Sequence, residues 1–122
     1  MTAIPPVRMR EAHKILAQMK YNLAPVEHGY ANRTLYVNVG TKEIAGKPVS
    51  AEMKEKFTGG RGFGLWLLWN GIKDTTKWND PENEIVISAG PIAGITNYPG
   101  TGKSMVVTIS PLTQIPIDSN GG

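Results

Sequence analysis

Residues 90–122, GPIAGITNYPGTGKSMVVTISPLTQIPIDSNGG, contain one clear β-strand between two loops that carry glycines. Within 104–110 the apolar residues Met105, Val107 and Ile109 occupy every second position, which is the pattern of a strand with one buried face. The flanking loops, 97–103 and 118–122, offer small residues and backbone amides. Because glycine lets backbone N–H groups approach an anion closely and point at it together, this stretch predicts an anion site or, equally, a pair of ordinary turns.

The size and composition of the chain are those of one soluble globular domain. It has 122 residues, of which 40% are hydrophobic and 19% are charged, so a modest core is expected and disorder is not. The net charge of +3 is too small to argue for nucleic-acid binding by itself. There is no cysteine, which excludes a disulfide or a cysteine-ligated iron–sulfur cluster within the chain. No signal-like or membrane-length apolar run occurs, and we expect a cytoplasmic location.

Upstream of the central stretch, the sequence first predicts a helix and a hairpin. Apolar residues at helical spacing predict an amphipathic helix over 7–20. Residues 21–33 show no period and predict an extended connector. Alternating apolar positions in 34–39, followed by a turn and a short second run at 43–49, predict a β-hairpin.

Two short helices are predicted next. Ser50 is placed as the N-cap of a helix over 51–57, with Gly59 just beyond the end of that helix. Residues 62–70, GFGLWLLWN, are apolar nearly all round, which predicts a second helix that is buried on several sides and ended by Gly71.

Further short extended segments are predicted at 84–88 and 115–117. The predicted order is a helix, a hairpin, two short helices and then strands. This order favours an α+β fold that is β-rich, with mostly antiparallel pairing.

Conventional catalytic and nucleotide-binding motifs are not supported. PGTGKS at 99–104 lacks the first glycine of a P-loop, and its Lys103 leads into a strand rather than a helix. GGRGFG at 59–64 follows a helix, whereas a dinucleotide fingerprint follows a strand. Neither His13 nor His28 has metal-ligand spacing to another residue, and no serine has an evident base. We therefore assign no catalytic residue.

Five segments carry a family resemblance. They are RTLYVNV at 33–39, FTGGRGFGLWLLW at 57–69, DPENEIVISAGPIAG at 80–94, GKSMVVTISPLT at 102–113 and DSNGG at 118–122. In their order and intervals they resemble the N-terminal domain of the tungsten-containing aldehyde ferredoxin oxidoreductases. The resemblance divides the chain into an N-terminal extension, 1–31, with the amphipathic helix, and a family-like domain, 32–122, which stops inside the last motif and is expected to be truncated.

The resemblance implies a domain that binds two tungstopterins, or molybdopterins, whose phosphates are bridged by magnesium. In the family, the asparagine of the last motif offers its backbone carbonyl to the magnesium, and Asn120 matches that position. A main-chain oxygen beside glycines is a suitable ligand for such a hard cation. A glycine two residues later contacts the pterin, and Gly122 matches it.

The remaining site residues come from the two glycine-rich motifs. Lys103 matches a basic residue that lies between a pterin and the iron–sulfur cluster, although the family commonly has arginine there. Gly100 and Gly102 would let this loop approach the cofactor. The residues Gly60, Arg61 and Gly62 match a family signature that is either a structural turn or a cofactor contact.

The implied function is the cofactor-binding portion of an enzyme that oxidises aldehydes to carboxylic acids and passes electrons to a 4Fe–4S cluster and ferredoxin. In the family, the cluster cysteines and the acid–base residues lie in later domains. The remainder of the enzyme, as later domains or a partner subunit, is therefore expected to supply them, and the chain alone is expected to be inactive. Ferredoxin or another electron acceptor is an expected partner, nucleic acid and membrane are not, and a homodimer stays open.

From its residues alone, the chain also fits a different class of protein. The alternative is a non-catalytic module whose basic loops bind a phosphorylated metabolite or nucleic acid.

Overall fold

The computed structural model describes residues 13–23, 25–95, 97 and 101–121. In chain order the described elements are β1 (Arg33–Asn38), β2 (Glu43–Pro48), α1 (Ala51–Lys56), α2 (Gly60–Gly71), β3 (Val86–Ser88), β4 (Ser104–Ile109) and β5 (Pro116–Gly121). The strands form an antiparallel pair, β1–β2, and an antiparallel sheet in the order β3–β4–β5. These elements confirm the α+β class and the mostly antiparallel pairing.

The predicted hairpin is confirmed as β1 and β2, which pair from Arg33 opposite Pro48 to Asn38 opposite Glu43. At the turn, the Asn38 side-chain oxygen accepts hydrogen bonds from the backbone N–H groups of Gly40 and Thr41, each at 3.0 Å. The asparagine side chain thus provides acceptors for turn N–H groups that have no partner on the opposite strand.

Helix α1 begins as the sequence predicts. Ser50 is its N-cap, and the Ser50 hydroxyl accepts from the backbone N–H of Met53 at 3.1 Å. The prediction that Gly59 is the glycine that terminates this helix, directly after its C-cap, is wrong, because the C-cap is Phe57, in an extended conformation, and Gly59 lies two residues beyond it. Gly59, with a φ of 144°, is instead the N-cap of α2.

Helix α2 lies across the β3–β4–β5 sheet and forms the core with it. Leu68 packs with Val86 and Val107. At Gly64 the helix backbone comes so close to Val107 that a side chain there would overlap the valine. The predicted burial on several sides is confirmed only in part: besides the sheet-facing side, Phe63 is covered by Tyr30 and Gly62 by Phe57, whereas Trp69 is 80% exposed.

Strand β4 shows the predicted alternation, because Val107 and Ile109 are buried and face α2. The extended segment predicted at 115–117 is the start of a longer strand, β5. Residues 118–121, predicted as a loop, pair with β4 instead, from Asp118 opposite Val107 to Gly121 opposite Ser104. In the strand these backbone groups bond to β4, whereas in a loop they would have to bond to water.

The predicted helix over 7–20 is only partly testable. Residues 7–12 lie outside the described residues, whereas 13–20 have no regular secondary structure, so the prediction is wrong for that part. Ile15 and Leu16 stay exposed there, and a short helix without a packed apolar face is marginal in water. No helix in the described part of the chain is long and apolar enough to cross a membrane.

Candidate functional site

Four backbone segments meet at one end of the β3–β4–β5 sheet. Strand β3 ends at Ser88, and Ser104 at the start of β4 pairs with Gly121 at the end of β5. The N-terminus of α2 joins them, because the Gly60 N–H donates to the Ala89 carbonyl at 3.1 Å and the Ser88 hydroxyl donates to the Gly60 carbonyl at 2.6 Å. We call this region the glycine end of the sheet. Its described residues are 58–62, 88–91, 101–104 and 118–121.

Several glycines at the glycine end leave backbone uncovered. Gly60 has a φ of 51°, a conformation that glycine adopts without the strain of a side chain. A Cβ atom placed on Gly90 or on Gly102 would meet no described atom within 4 Å. Packing among the described residues therefore does not explain glycine at these two positions. The open backbone there is accessible to a bound molecule.

One ion pair ties the glycine end together. An Arg61 guanidinium nitrogen lies 2.8 Å from a carboxylate oxygen of Asp118, which joins the first turn of α2 to β5. The Arg61 side chain is 63% exposed, so solvent screens the pair and its contribution to stability is small. The pair does, however, hold the N-terminus of α2 beside the middle of β5.

The backbone of Asn120 points away from β4. The Ser110 N–H donates to the Ile115 carbonyl at 3.1 Å, whereas both backbone groups of Ile109 bond the Asn83 side chain on the β3 side. Hydrogen-bonded and non-hydrogen-bonded pairs alternate along an antiparallel ladder, and Met105 opposite Asn120 has the same parity as Ile109 opposite Pro116. The Asn120 carbonyl therefore faces the outer edge of β5, where no other described strand pairs.

The structure brings most of the predicted site residues to this region. Gly102 and Lys103 are exposed and lead directly into β4. Gly62 differs from the others, because a side chain at Gly62 would overlap Phe57, which explains the glycine by packing. Gly100 and Gly122 lie outside the described residues.

Side chains that could hold a metal by themselves are not grouped in the described ranges. No cluster of three or more His, Cys, Asp or Glu residues occurs there. His28 lies in a tight turn with a φ of 52°. At the glycine end, the Asp118 carboxylate is paired with Arg61, so main-chain oxygens such as that of Asn120 are the candidate metal ligands there.

Sequence reasoning missed three contributors to the glycine end: Ser88, Asp118 and Gly90. Ser88 and Asp118 act through bonds to residues 28 and 57 positions away, which no local pattern reveals. Gly90 lies in the family-like segment at 80–94, which was the available signal for it.

Comparison with known proteins gives a consistent result. The family model described as aldehyde ferredoxin oxidoreductase, N-terminal domain, matches residues 34–122. The chain is 36% identical over 95 residues to the tungsten-containing aldehyde ferredoxin oxidoreductase of Pyrococcus furiosus, an alignment that covers 78% of this chain and 16% of that protein. It is 34% identical over 95 residues to the tungsten-containing aldehyde ferredoxin oxidoreductase of Thermococcus kodakarensis, with the same coverage of 78% and 16%.

A second type of relative is also similar. The aliphatic sulfonate oxidoreductase, WOR-like subunit, of Pyrococcus furiosus is 32% identical over 97 residues, which cover 77% of this chain and 14% of that protein. The chain therefore spans about one-sixth of the length of the relatives it matches.

Proposed function

Because this chain belongs to the aldehyde ferredoxin oxidoreductase family, we propose that it is the portion of such an enzyme that binds a tungstopterin or molybdopterin cofactor. In the proposed reaction an aldehyde is oxidised to a carboxylic acid, and the electrons leave through a 4Fe–4S cluster to ferredoxin or another acceptor. When bound, the cofactor supplies the redox chemistry, while the protein supplies binding, orientation and electrostatics. The chain contributes the binding surface.

The observation that carries the proposal is the convergence of open backbone and positive charge at the glycine end. Gly90 and Gly102 leave space that no described side chain fills, and Lys103 lies next to Gly102. Phosphate-bearing ligands are bound in this way, by exposed backbone N–H groups beside a cation. The residues present therefore fit a cofactor that carries phosphates.

We assign cofactor binding to the glycine end as a whole. Lys103 would attract the phosphates, and Arg61 would orient the first turn of α2 through its bond to Asp118. The remaining assigned glycines would allow close backbone approach, as the family resemblance implies, and Gly62 would also let Phe57 pack on the first turn of α2. These glycines are Gly60, Gly62, Gly100, Gly102 and Gly122.

We further propose that the Asn120 carbonyl is a magnesium ligand. Magnesium prefers oxygen ligands and keeps several waters, so a single outward carbonyl at a solvent-facing edge suits it. The parity of the β4–β5 ladder, which turns this carbonyl away from Met105, supports the assignment. A side-chain substitution at Asn120 is a poor test because the proposed ligand is main chain.

A charge reversal at Lys103 tests the proposed cofactor site. In Lys103→Glu, isolated with its partner from the native host, we expect the pterin content per chain to fall about tenfold or more, because a charge-assisted contact to phosphate is replaced by repulsion. Pterin is measured by the fluorescence of its oxidised form.

The matched control is Lys73→Glu. Lys73 is exposed and follows the C-terminal end of α2, away from the glycine end, and the substitution makes the same change in net charge. Equal pterin content in Lys103→Glu, Lys73→Glu and the unchanged chain would show that Lys103 has no part in the site.

We propose that the remainder of the enzyme, as later domains or a partner subunit, docks on the uncovered side of α2. A groove lined only by apolar side chains runs along this side of the helix. Its lining residues are Phe57, Leu65, Trp66, Leu68, Trp69, Ile72 and Pro116. Apolar grooves of this kind mark protein contacts, and the relatives are long enough to supply the covering surface.

A substitution in the groove tests this docking. Trp69→Asp is expected to lower the amount of partner recovered with the tagged chain about tenfold or more, since a central tryptophan is a frequent interface anchor worth about 2 kcal/mol or more. The partner is identified by mass spectrometry as a polypeptide with the later domains of the family.

Trp78→Asp is the control, because Trp78 is also partly exposed, at 44%, but lies outside the groove. Partner recovery that is unchanged in Trp69→Asp, or reduced equally in both variants, would argue against docking on this side of α2.

A further inference from the structure

A tight turn before β1 packs directly on the glycine end. Glu27 and Tyr30 exchange backbone hydrogen bonds of 3.1 and 2.8 Å, and the two residues between them, His28 and Gly29, have φ values of 52° and 82°. Positive φ at both central positions is the geometry of a type I′ turn, which is rigid and short. This turn precedes residues 34–122, the segment that matches the family model.

The turn meets the loop that follows β3 without an intervening side chain. A Cβ atom at Gly29 would overlap the backbone carbonyl of Pro91. At Gly59 a Cβ atom would lie 3.1 Å from the Ala89 carbonyl oxygen and 3.2 Å from the Cα of Gly90. Three stretches of backbone, around positions 29, 59 and 90, are therefore stacked against one another, and glycine makes the close approach possible.

Tyr30 connects the turn to α2 by a hydrogen bond and a ring contact. Its hydroxyl donates to the Thr58 carbonyl at 2.7 Å, just before the N-cap of the helix. Its ring stacks on Phe63 in the first turns of α2, with ring centroids 6.0 Å apart. One side chain thus contacts the chain on both sides of Gly60, at Thr58 before it and at Phe63 after it.

We infer that the 27–30 turn is a positioning element of the cofactor site, which holds the 58–60 and 89–91 segments at a fixed spacing for a phosphate-bearing ligand. The inference rests on the proposed function. Glycine-rich backbone loses more conformational freedom on ordering than any other backbone. A turn that orders these segments in advance removes that cost from ligand binding.

Two variants test the inference, each with a matched control. Tyr30→Phe removes the hydroxyl bond to Thr58 and keeps the ring, and Tyr36→Phe removes a tyrosine hydroxyl from the hairpin. Gly29→Ala pushes on Pro91, and Gly46→Ala adds the same methyl group in β2, where the nearest described atom would be 3.8 Å away.

The first measurement is hydrogen exchange of the Gly60 amide in the full chain, because this amide is bonded to the Ala89 carbonyl and reports on the closure of the two segments. We expect exchange at Gly60 to be about tenfold faster in Tyr30→Phe and in Gly29→Ala than in the controls. Exchange of amides in β4 serves as the measure of global unfolding and is expected to be unchanged in Tyr30→Phe.

The second measurement is the rate at which pterin leaves the chain isolated with its partner, which is expected to be about tenfold higher in Tyr30→Phe than in Tyr36→Phe. Unchanged exchange at Gly60 in both site variants would overturn the inference. Faster exchange with an unchanged rate of pterin loss would overturn it as well, because the turn would then stabilise the fold without serving the ligand. If the unchanged chain isolated with its partner holds no pterin, the proposed function fails, and the inference about a cofactor site fails with it.

Discussion

Purified alone and supplied with a pterin cofactor, magnesium and an artificial electron acceptor, the chain is expected to oxidise no aldehyde above the rate measured without protein. It has no cysteine to hold a 4Fe–4S cluster, so the cluster of the proposed electron path has to be held by another part of the enzyme. It also spans about one-sixth of the length of its relatives, and the resemblance assigns the acid–base residues to later domains. The glycine end offers a surface that would bind the cofactor, but not the other groups that turnover requires.

The control for this experiment is the same assay on the chain isolated together with its partner. Aldehyde oxidation is expected there and is expected to disappear when the partner is removed. Turnover that rises in proportion to the concentration of the chain alone would contradict the proposal that the chain binds the cofactor and the remainder of the enzyme supplies the other catalytic groups.

The second large effect is expected for the stability of the domain. Leu68 is 1% exposed and packs with Val86 and Val107 at the contact between α2 and the sheet. Truncation of a buried leucine removes apolar contacts and leaves a cavity, so Leu68→Ala is expected to lower the free energy of unfolding by about 2–5 kcal/mol. Urea unfolding followed by tryptophan fluorescence measures the change, because Trp66 and Trp69 lie on the same helix.

Leu112→Ala is the matched control. Leu112 is 89% exposed in the turn between β4 and β5, and its truncation is expected to change the unfolding free energy by less than about 0.5 kcal/mol. A loss in Leu68→Ala no larger than this would mean that α2 is not held by its contact with the sheet. The position of Gly60 and Arg61 at the glycine end would then need another explanation.

Local signals predicted the elements whose stabilising contacts are close in sequence. The hairpin, the N-cap at Ser50 and the buried face of β4 follow from alternation and from a single side-chain bond. Each depends on residues a few positions apart. The structure accordingly agrees with the sequence on these elements.

Contacts between distant residues decided the elements that the sequence missed. Asp118, Ser119 and Asn120 are poor strand formers, yet they extend because β4 lies beside them. At 13–20 the reverse holds, since the helical spacing of Ile15 and Leu16 has no described surface to pack on. At 118–120 pairing with β4 outweighs a low strand propensity, and at 13–20 the lack of a packing surface outweighs the helical pattern.

The candidate site itself could be predicted only in part. The family resemblance identified most of its residues, but the register of the β4–β5 ladder determines that Ser104 meets Gly121 and that the Asn120 carbonyl points outward. A shift of one residue would turn that carbonyl toward β4. The contact of Gly29 with Pro91 joins residues that no periodic pattern connects.

The most direct test of the cofactor-binding role is the composition of the chain isolated with a tag from its native host. Metals are measured by mass spectrometry, pterin by fluorescence and nucleic acid by absorbance and gel electrophoresis. We expect tungsten or molybdenum, magnesium and pterin in fixed proportion to the chain and its partner. A chain that carries no pterin and neither metal, and that is isolated with nucleic acid or a phosphorylated metabolite instead, would contradict the proposal and support a non-catalytic binding module.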